Sequence, residues 1–367
     1  MSTPPGRVPD FLRREFVAVD HPAWRQAHAS SVLMADGAAL VAWFGGTREG
    51  TPDNRIFLAR RDAGAWSTPE VIAEGDVAHW NPVLAAGPDG QTWLFFKRGS
   101  RISTWRTWVR RSDDGGRTWS EPAELIPGPD GAAGRGPVKN PPLWLPGTWL
   151  APASTETSGT EEPARWEPFV DRSSDSGRTW TPVPIPVDRT ALHGPGLIQP
   201  ALVARPWGVL ALMRSTEGVV YRSESTDGGR TWSQAAPTSL PNNNSGLTAL
   251  SLPDGLVACV HNPVSGDWAP RCPLVLSVSE DDGHTWWTAV VLEDGRTPVH
   301  PDRPPRLPMS DPFDAADDGV RTTGVGEYSY PAAVLDGHDL HITYTWQRRG
   351  IVAASLPLEK ALGRNLA

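Results

Sequence analysis

Cysteine is nearly absent from this chain of 367 residues: there are two, Cys259 and Cys272. Two thiols cannot form a disulfide framework. They could face each other across a hairpin, but a reduced, packed pair is the expectation. No run of 18 apolar residues occurs, which excludes a conventional membrane-spanning helix. Met1 to Asp20 is polar and proline-rich without an apolar stretch, so no signal peptide is expected and the cytoplasm is the simplest compartment. Lysine is scarce, and the formal net charge of −8 with a pI near 5.6 offers no general attraction to nucleic acid or to an anionic membrane. Nothing in the sequence asks for a metal or another cofactor, and long helical periodicity is also missing.

What is abundant is tryptophan (18), glycine (36) and proline (38), the composition of short strands, tight turns and aromatic wedges. One phrase, S-x-D-x-G-x-T-W, occurs four times: Ser112–Trp119, Ser173–Trp180, Ser225–Trp232 and Ser279–Trp286. The tryptophans are 61, 52 and 54 residues apart, a period that reads as a propeller. Each copy has the makings of a turn: an Asp to accept backbone N–H groups, a Gly that tolerates positive φ, and a Trp to fill the gap between units.

Working back from each phrase predicts four strands per unit. The expected architecture is all-β: a single domain over 1–367, a six-bladed β-propeller of four-stranded antiparallel blades at about 25–75, 78–128, 138–188, 197–240, 244–294 and 327–358. The first unit keeps only a remnant phrase, Asp62-Ala63-Gly64-Ala65-Trp66, and the last lacks a fourth strand. Residues 15–19 would supply it and remove an open edge. Residues 295–325 form a long excursion between the fifth and sixth units.

In such a blade the repeated phrase and the start of the first strand lie at opposite ends, so a ligand site is expected away from the phrases. First strands open with His28, Asn81-Pro82, Asn140-Pro141, Gln199-Pro200, Asn244-Ser245 and Tyr330-Pro331, a ring of polar side chains at the channel mouth. The ends of second strands and the following loops add Arg48, Glu49, Asp53, Lys97, Arg98, Glu156, Arg214, Glu217, Asn262, Arg348 and Arg349, and Arg271 lies just before a third strand. Converging guanidinium groups suit bidentate capture of a carboxylate. Trp80, Trp105, Trp166, Trp346, Tyr328 and Tyr330 fall near the same end, where rings beside polar groups suit a sugar face.

The repeated phrase resembles the Asp-box of the sialidase-like (BNR-repeat) propellers. That resemblance implies three arginines on a substrate carboxylate, a Tyr nucleophile polarised by a Glu, and an Asp acid/base. Arg214 resembles the second arginine, Arg271 the third, Tyr328-Ser329 the nucleophile's pair, and Asp53 stands at a place like that of the acid/base. The first arginine's place reads Ala27-His28-Ala29-Ser30, and the place of the polarising glutamate falls near Gln199. Trp43–Gly50, Asn81–Leu84, Gln199-Pro200 and Tyr328–Pro331 look closest to a branch lacking the complete sialidase set, some of whose relatives cleave rhamnosyl-glucuronate linkages by β-elimination.

The expected function is therefore cleavage of a glycosidic bond at an acidic sugar, leaning to β-elimination beside a uronic acid, with a sialidase-like hydrolase or a non-catalytic glycan-binding propeller as alternatives. Candidate catalytic residues are His28, Tyr330, Tyr328, Asp53 and His79. Candidate substrate-binding residues are Arg214, Arg271, Asn81, Asn140, Gln199, Lys97, Arg98, Glu156 and Arg48. His28 is singled out because imidazole titrates near neutrality. The expected partner is an acidic oligosaccharide or glycoside.

Overall fold

The computed structural model describes residues 6–62, 64–87, 90–129, 134–157, 163–303 and 326–364. Its strands pair into six four-stranded antiparallel sheets, the blades of a propeller. Blade 1 comprises Gln26–Ala35, Ala38–Gly46, Arg55–Arg61 and Glu70–Ala73; blade 2, His79–Ala86, Thr92–Arg98, Arg106–Ser112 and Ala123–Glu124. Blade 3 comprises Leu143–Leu145, Thr148–Thr157, Arg165–Ser173 and Thr181–Pro184; blade 4, Leu197–Arg205, Gly208–Ser215, Val219–Ser225 and Ala236–Pro241. Blade 5 comprises Thr248–Ser251, Val257–His261, Leu274–Ser279 and Trp287–Glu293. Blade 6 takes Tyr328–Asp336, Asp339–Trp346 and Gly350–Pro357 and is completed by Arg13–Val19, which pairs antiparallel with Gly350–Pro357. The excursion expected over 295–325 lies outside the described residues from 304 onward.

Both faces of an inner strand are covered, so adjacent positions are buried together. Trp43 and Phe44 point to opposite sides of one strand, yet are 0% and 1% exposed. Trp43 packs with Trp24 and Phe57, whereas Phe44 packs with Leu94 and Phe96 of blade 2. The apolar core is thus a set of layers between blades, each removing side chains from water at about 25 cal/mol per Å². Cys259 and Cys272 are free and belong to different layers.

The boxes close the gaps between the outer parts of the blades. In each, the Asp accepts from the Thr backbone and hydroxyl: Thr231 N–H donates to Asp227 at 3.0 Å, and Thr231 Oγ1 at 2.6 Å. The glycine approaches the preceding blade so closely that a Cβ on Gly229 would lie 2.5 Å from Leu150 Cδ2, with φ at +76°. The preceding blade's third strand fixes the same turn, since Arg172 donates to Gly228 O at 3.0 Å and Arg222 to Asp282 O at 3.1 Å. The box is a staple between blades.

Gly229→Ala combines positive φ with overlap on Leu150 and should cost about 1–3 kcal/mol from strain, seen as a lower melting temperature. The boxes also predict acid sensitivity. Hydrogen bonds, those from Thr179 foremost, hold the Asp175 carboxyl at about 2 against an ordinary value of 3.8. Their contribution is complete above the unfolded value and is lost as pH falls from about 4 towards 2. An Asp175→Asn melt compared with wild type across that window should show the difference shrinking.

Candidate functional site

Four first strands carry one extra residue at the same place. Ladder pairing jumps from His28 to Ser31, Trp80 to Val83, Ile198 to Ala201 and Ser329 to Ala332, so two residues oppose one on the second strand. The first residue of each bulge has positive φ: Ala29, Asn81, Gln199 and Tyr330; Asn244, just before the fifth first strand, shares this conformation. A bulge of this kind re-aims a side chain, and here it turns Asn81, Gln199 and Tyr330 into a central cavity of about 310 Å³. Arg48, Glu49, Glu156, Arg214, Arg271 and Arg348 share its lining, with Trp80, Trp105, Ile102 and Trp268 as apolar wall.

The arginines are held rigidly. Arg214 donates through Nε to Asn244 Oδ1 at 2.6 Å and through Nη1 to the Tyr330 hydroxyl at 2.8 Å. Arg271 Nη1 bonds Glu327 at 2.8 Å, and Arg348 Nε reaches both Glu327 oxygens at 3.1 Å. Glu327 is fully buried and also accepts from Ser329 at 2.8 Å. Burial alone would raise its carboxyl, but Arg348 and Arg271 outweigh that and hold it below its ordinary value. Arg348 Nη1 additionally pairs with Glu49. Glu156 faces this cluster from blade 3, and burial raises its pKa even though Arg214 opposes the shift. A Cβ on Gly246 would lie 3.3 Å from each of Gln199 Oε1, Lys139 Cε and Tyr330 Cδ1, so glycine there lets these three side chains pack closely.

The structure brings Arg48, Asn81, Glu156, Gln199, Arg214, Arg271 and Tyr330 together around one cavity. Other candidates lie elsewhere. His28 sits one residue before its bulge; Ala29 holds the ring position in blade 1. Its imidazole is 1% exposed behind Tyr330, with ring centroids 4.3 Å apart and Nδ1 on Thr345 at 2.9 Å. Burial, reinforced by Arg348 and Arg271, keeps it well below its ordinary pKa and neutral. Tyr328 is two residues out of register with the cavity and is wholly buried in the layer between blades 5 and 6. Asp53 is exposed and caps its own loop, accepting from Thr47 N–H at 2.8 Å and Oγ1 at 2.7 Å. His79 bonds Val77 O and stacks on Phe96.

Lys97 is buried and spent on Thr107, Arg135 O and Gly136 O, while Arg98 pairs with Asp76 at 2.8 Å. Asn140 ties blade 3 to blade 4 by donating to Gln199 O and Pro200 O, both at 3.2 Å. Trp166 stands 5.5 Å from the Arg214 guanidinium, and Trp346 belongs to the blade 6 core. Sequence reasoning gave Glu327 no part; its signal was a lone acid directly before Tyr328-Ser329-Tyr330-Pro331. Arg348 and Glu49 stood among the strand-end residues but were assigned no role.

The chain belongs to the BNR repeat-like domain family, whose model matches residues 37–342. Its fold is the six-bladed β-propeller that sialidases of known structure also have. Among solved structures it is similar to a protein of unknown function from Dyadobacter fermentans, at TM-score 0.67 and 17% identity over 95% of this chain and 100% of that one. A Hadza microbial sialidase matches at 0.62 and 15%, over 92% of this chain and 66% of that one. The NanB sialidase from Streptococcus pneumoniae matches at 0.65 and 12%, over 92% and 69%. No curated protein matches in sequence.

Glu327→Gln would leave two buried guanidinium groups short of their counter-charge, a loss of about 3–5 kcal/mol. Because the folded pKa is lowered, the stabilisation is complete above the unfolded value near 4.5 and is lost as pH falls through the folded one. Denaturant melts of both proteins at pH 7 and pH 4 should show the gap narrowing in acid.

Proposed function

We propose that this chain cleaves a glycosidic bond at an acidic sugar, by β-elimination beside a uronic acid. The observation that carries this reading is the set of arginines around Tyr330, two of them pinned by the buried Glu327. Guanidinium groups that cannot relax are a preorganised receptor for a carboxylate, and neutralising a uronate carboxylate is what makes its C5 proton removable.

Tyr330, as the phenolate, takes the C5 proton. Arg214 donates to its oxygen and stabilises the negative charge that the oxygen carries before the transfer. The electron pair forms the C4–C5 double bond, the C4–oxygen bond breaks, and the departing oxygen takes a proton from Glu156, whose raised pKa keeps it protonated at higher pH than an ordinary glutamate. Trp80 and Trp105 offer apolar surface to the sugar ring. Similarity to sialidases favours one second reading, in which Tyr330 attacks the anomeric carbon. Against it, the group beside the phenol is Gln199 and not a carboxylate base, since Arg214 Nη1 also reaches Gln199 Oε1 at 3.4 Å.

The test is incubation with rhamnosyl-glucuronate oligosaccharides and, separately, sialyllactose. Elimination should generate the ultraviolet absorbance of an unsaturated uronate, hydrolysis a new reducing acidic sugar without it, and failure of both would sink the reading. Arg214→Gln should lower kcat/KM roughly 100- to 1,000-fold, the scale of losing one preorganised charge-stabilising donor. Glu156→Gln should remove the fall in activity that wild type shows as pH rises through the raised pKa of this acid.

A further inference from the structure

The opposite end of the propeller holds a second cavity, of about 370 Å³, between blades 6 and 1. It exists because blade 1 lacks a true box. Asp62-Ala63-Gly64-Ala65-Trp66 is one residue shorter than the repeated phrase and has no Thr. Asp62 accepts instead from Arg60 Nε at 2.7 Å. In the boxes of blades 2, 4 and 5 the glycine faces a leucine of the preceding blade: Leu40, Leu150, and Leu210 with Leu212. A Cβ on Gly64 would meet nothing within 4 Å. The staple is missing at this junction, and the space it leaves stays open.

The walls are polar in a way that packing does not require. Thr343 is 1% exposed and its Oγ1 has no hydrogen-bond partner among the described residues; Trp66 Nε1 is buried and likewise without one among them. In three boxes the indole N–H bonds its own box glycine at 3.0–3.1 Å. Trp232 lacks that bond too, but its junction is filled by Gly229 against Leu150. Beside Trp66, Arg61 lies 5.9 Å from the ring centroid and pairs with Glu15 at 2.6 Å. His341 completes the lining, kept below its ordinary pKa by burial. Leaving a buried hydroxyl and an indole N–H without partners costs stability, and a ligand with hydroxyl groups in this cavity would supply them.

We propose that the cavity between blades 6 and 1 is a second, non-catalytic carbohydrate site, which takes a neutral sugar ring beside Trp66 with Thr343 as a hydrogen-bonding partner. The charges around it occur in both signs, and Arg14, Glu15, Arg61 and Asp62 are engaged in ion pairs, which disfavours an ion and suits hydroxyl groups that donate and accept. An indole next to such groups matches the mixed apolar and polar surface of a pyranose. The volume is at the lower end of small-molecule pockets, about 300–1,000 Å³. The site is independent of the chemistry assigned to the central cavity.

The experiment is saturation-transfer NMR and calorimetry on the full chain with the methyl glycosides of glucose, galactose, mannose and rhamnose. At least one should bind. Thr343→Val should weaken it at least fivefold while leaving the melting temperature unchanged or raised, because an apolar isostere removes an unsatisfied hydroxyl. Ala39→Leu, which fills the cavity from the second strand of blade 1, should abolish binding even if Thr343→Val proves poorly folded. Arg48→Ala in the central cavity should leave the effect of Thr343→Val and of Ala39→Leu on glycoside binding unaltered. Absence of binding by all four glycosides, or equal binding by wild type and the Ala39→Leu variant, overturns the proposal and leaves the reading of the central cavity untouched.

Discussion

The central cavity depends on one buried carboxylate. Glu327 stands immediately before the first strand of blade 6, takes Arg271 from blade 5 and Arg348 from blade 6, and through Arg348 reaches Glu49 of blade 1. Three consecutive blades meet in this network beside the junction where the ring closes. An ion network in such a place is a poor way to gain stability, because desolvating each charge costs several kcal/mol and an apolar cluster of equal volume does as well or better. What the network secures is position. Two guanidinium groups with little rotameric freedom are held at the cavity wall, and a ligand does not have to order them.

The bulges are the complementary constraint. A regular first strand would alternate its side chains between the two inter-blade layers and leave the axis lined by backbone. One extra residue with positive φ breaks the alternation and sends Asn81, Gln199 and Tyr330 inward. Proline directly after each of these three suits the arrangement, since the second bulge residue needs no ladder N–H. The polar residue before proline is therefore a physical signature of the cavity and not an incidental repeat. In blade 1 the bulge carries Ala29 and Ser30, and the cavity gains instead Arg48 and Glu49 from the loop after the second strand.

This explains which parts of the molecule were legible beforehand. The boxes have a fixed internal geometry and recur at blade spacing, so the fold could be read from them, and the missing fourth strand of the last unit pointed to closure by the N-terminal strand. Strand-end residues such as Arg214 and Glu156 were also readable, because a strand's end is set by its turn. Register was not. A one-residue slip moves a side chain to the other face, and the bulge position decides whether His28 or Ala29, Tyr328 or Tyr330, meets the axis. Nor does sequence indicate that Lys97 is consumed by backbone carbonyls, or that Glu327 joins residues 56 and 21 positions away.

The two ends of the propeller follow from the same rule applied in opposite ways. At the box end every complete phrase fills its junction, and in three of the four the indole N–H is satisfied within the phrase. At the cavity end first strands are distorted so that polar groups are turned away from their neighbours and toward the axis. Where blade 1 drops a residue from its phrase, the box end shares one property of the other end: open volume bordered by polar side chains. The bulged first strands and the shortened phrase of blade 1 are thus two places where the repeat is broken, and each borders a cavity.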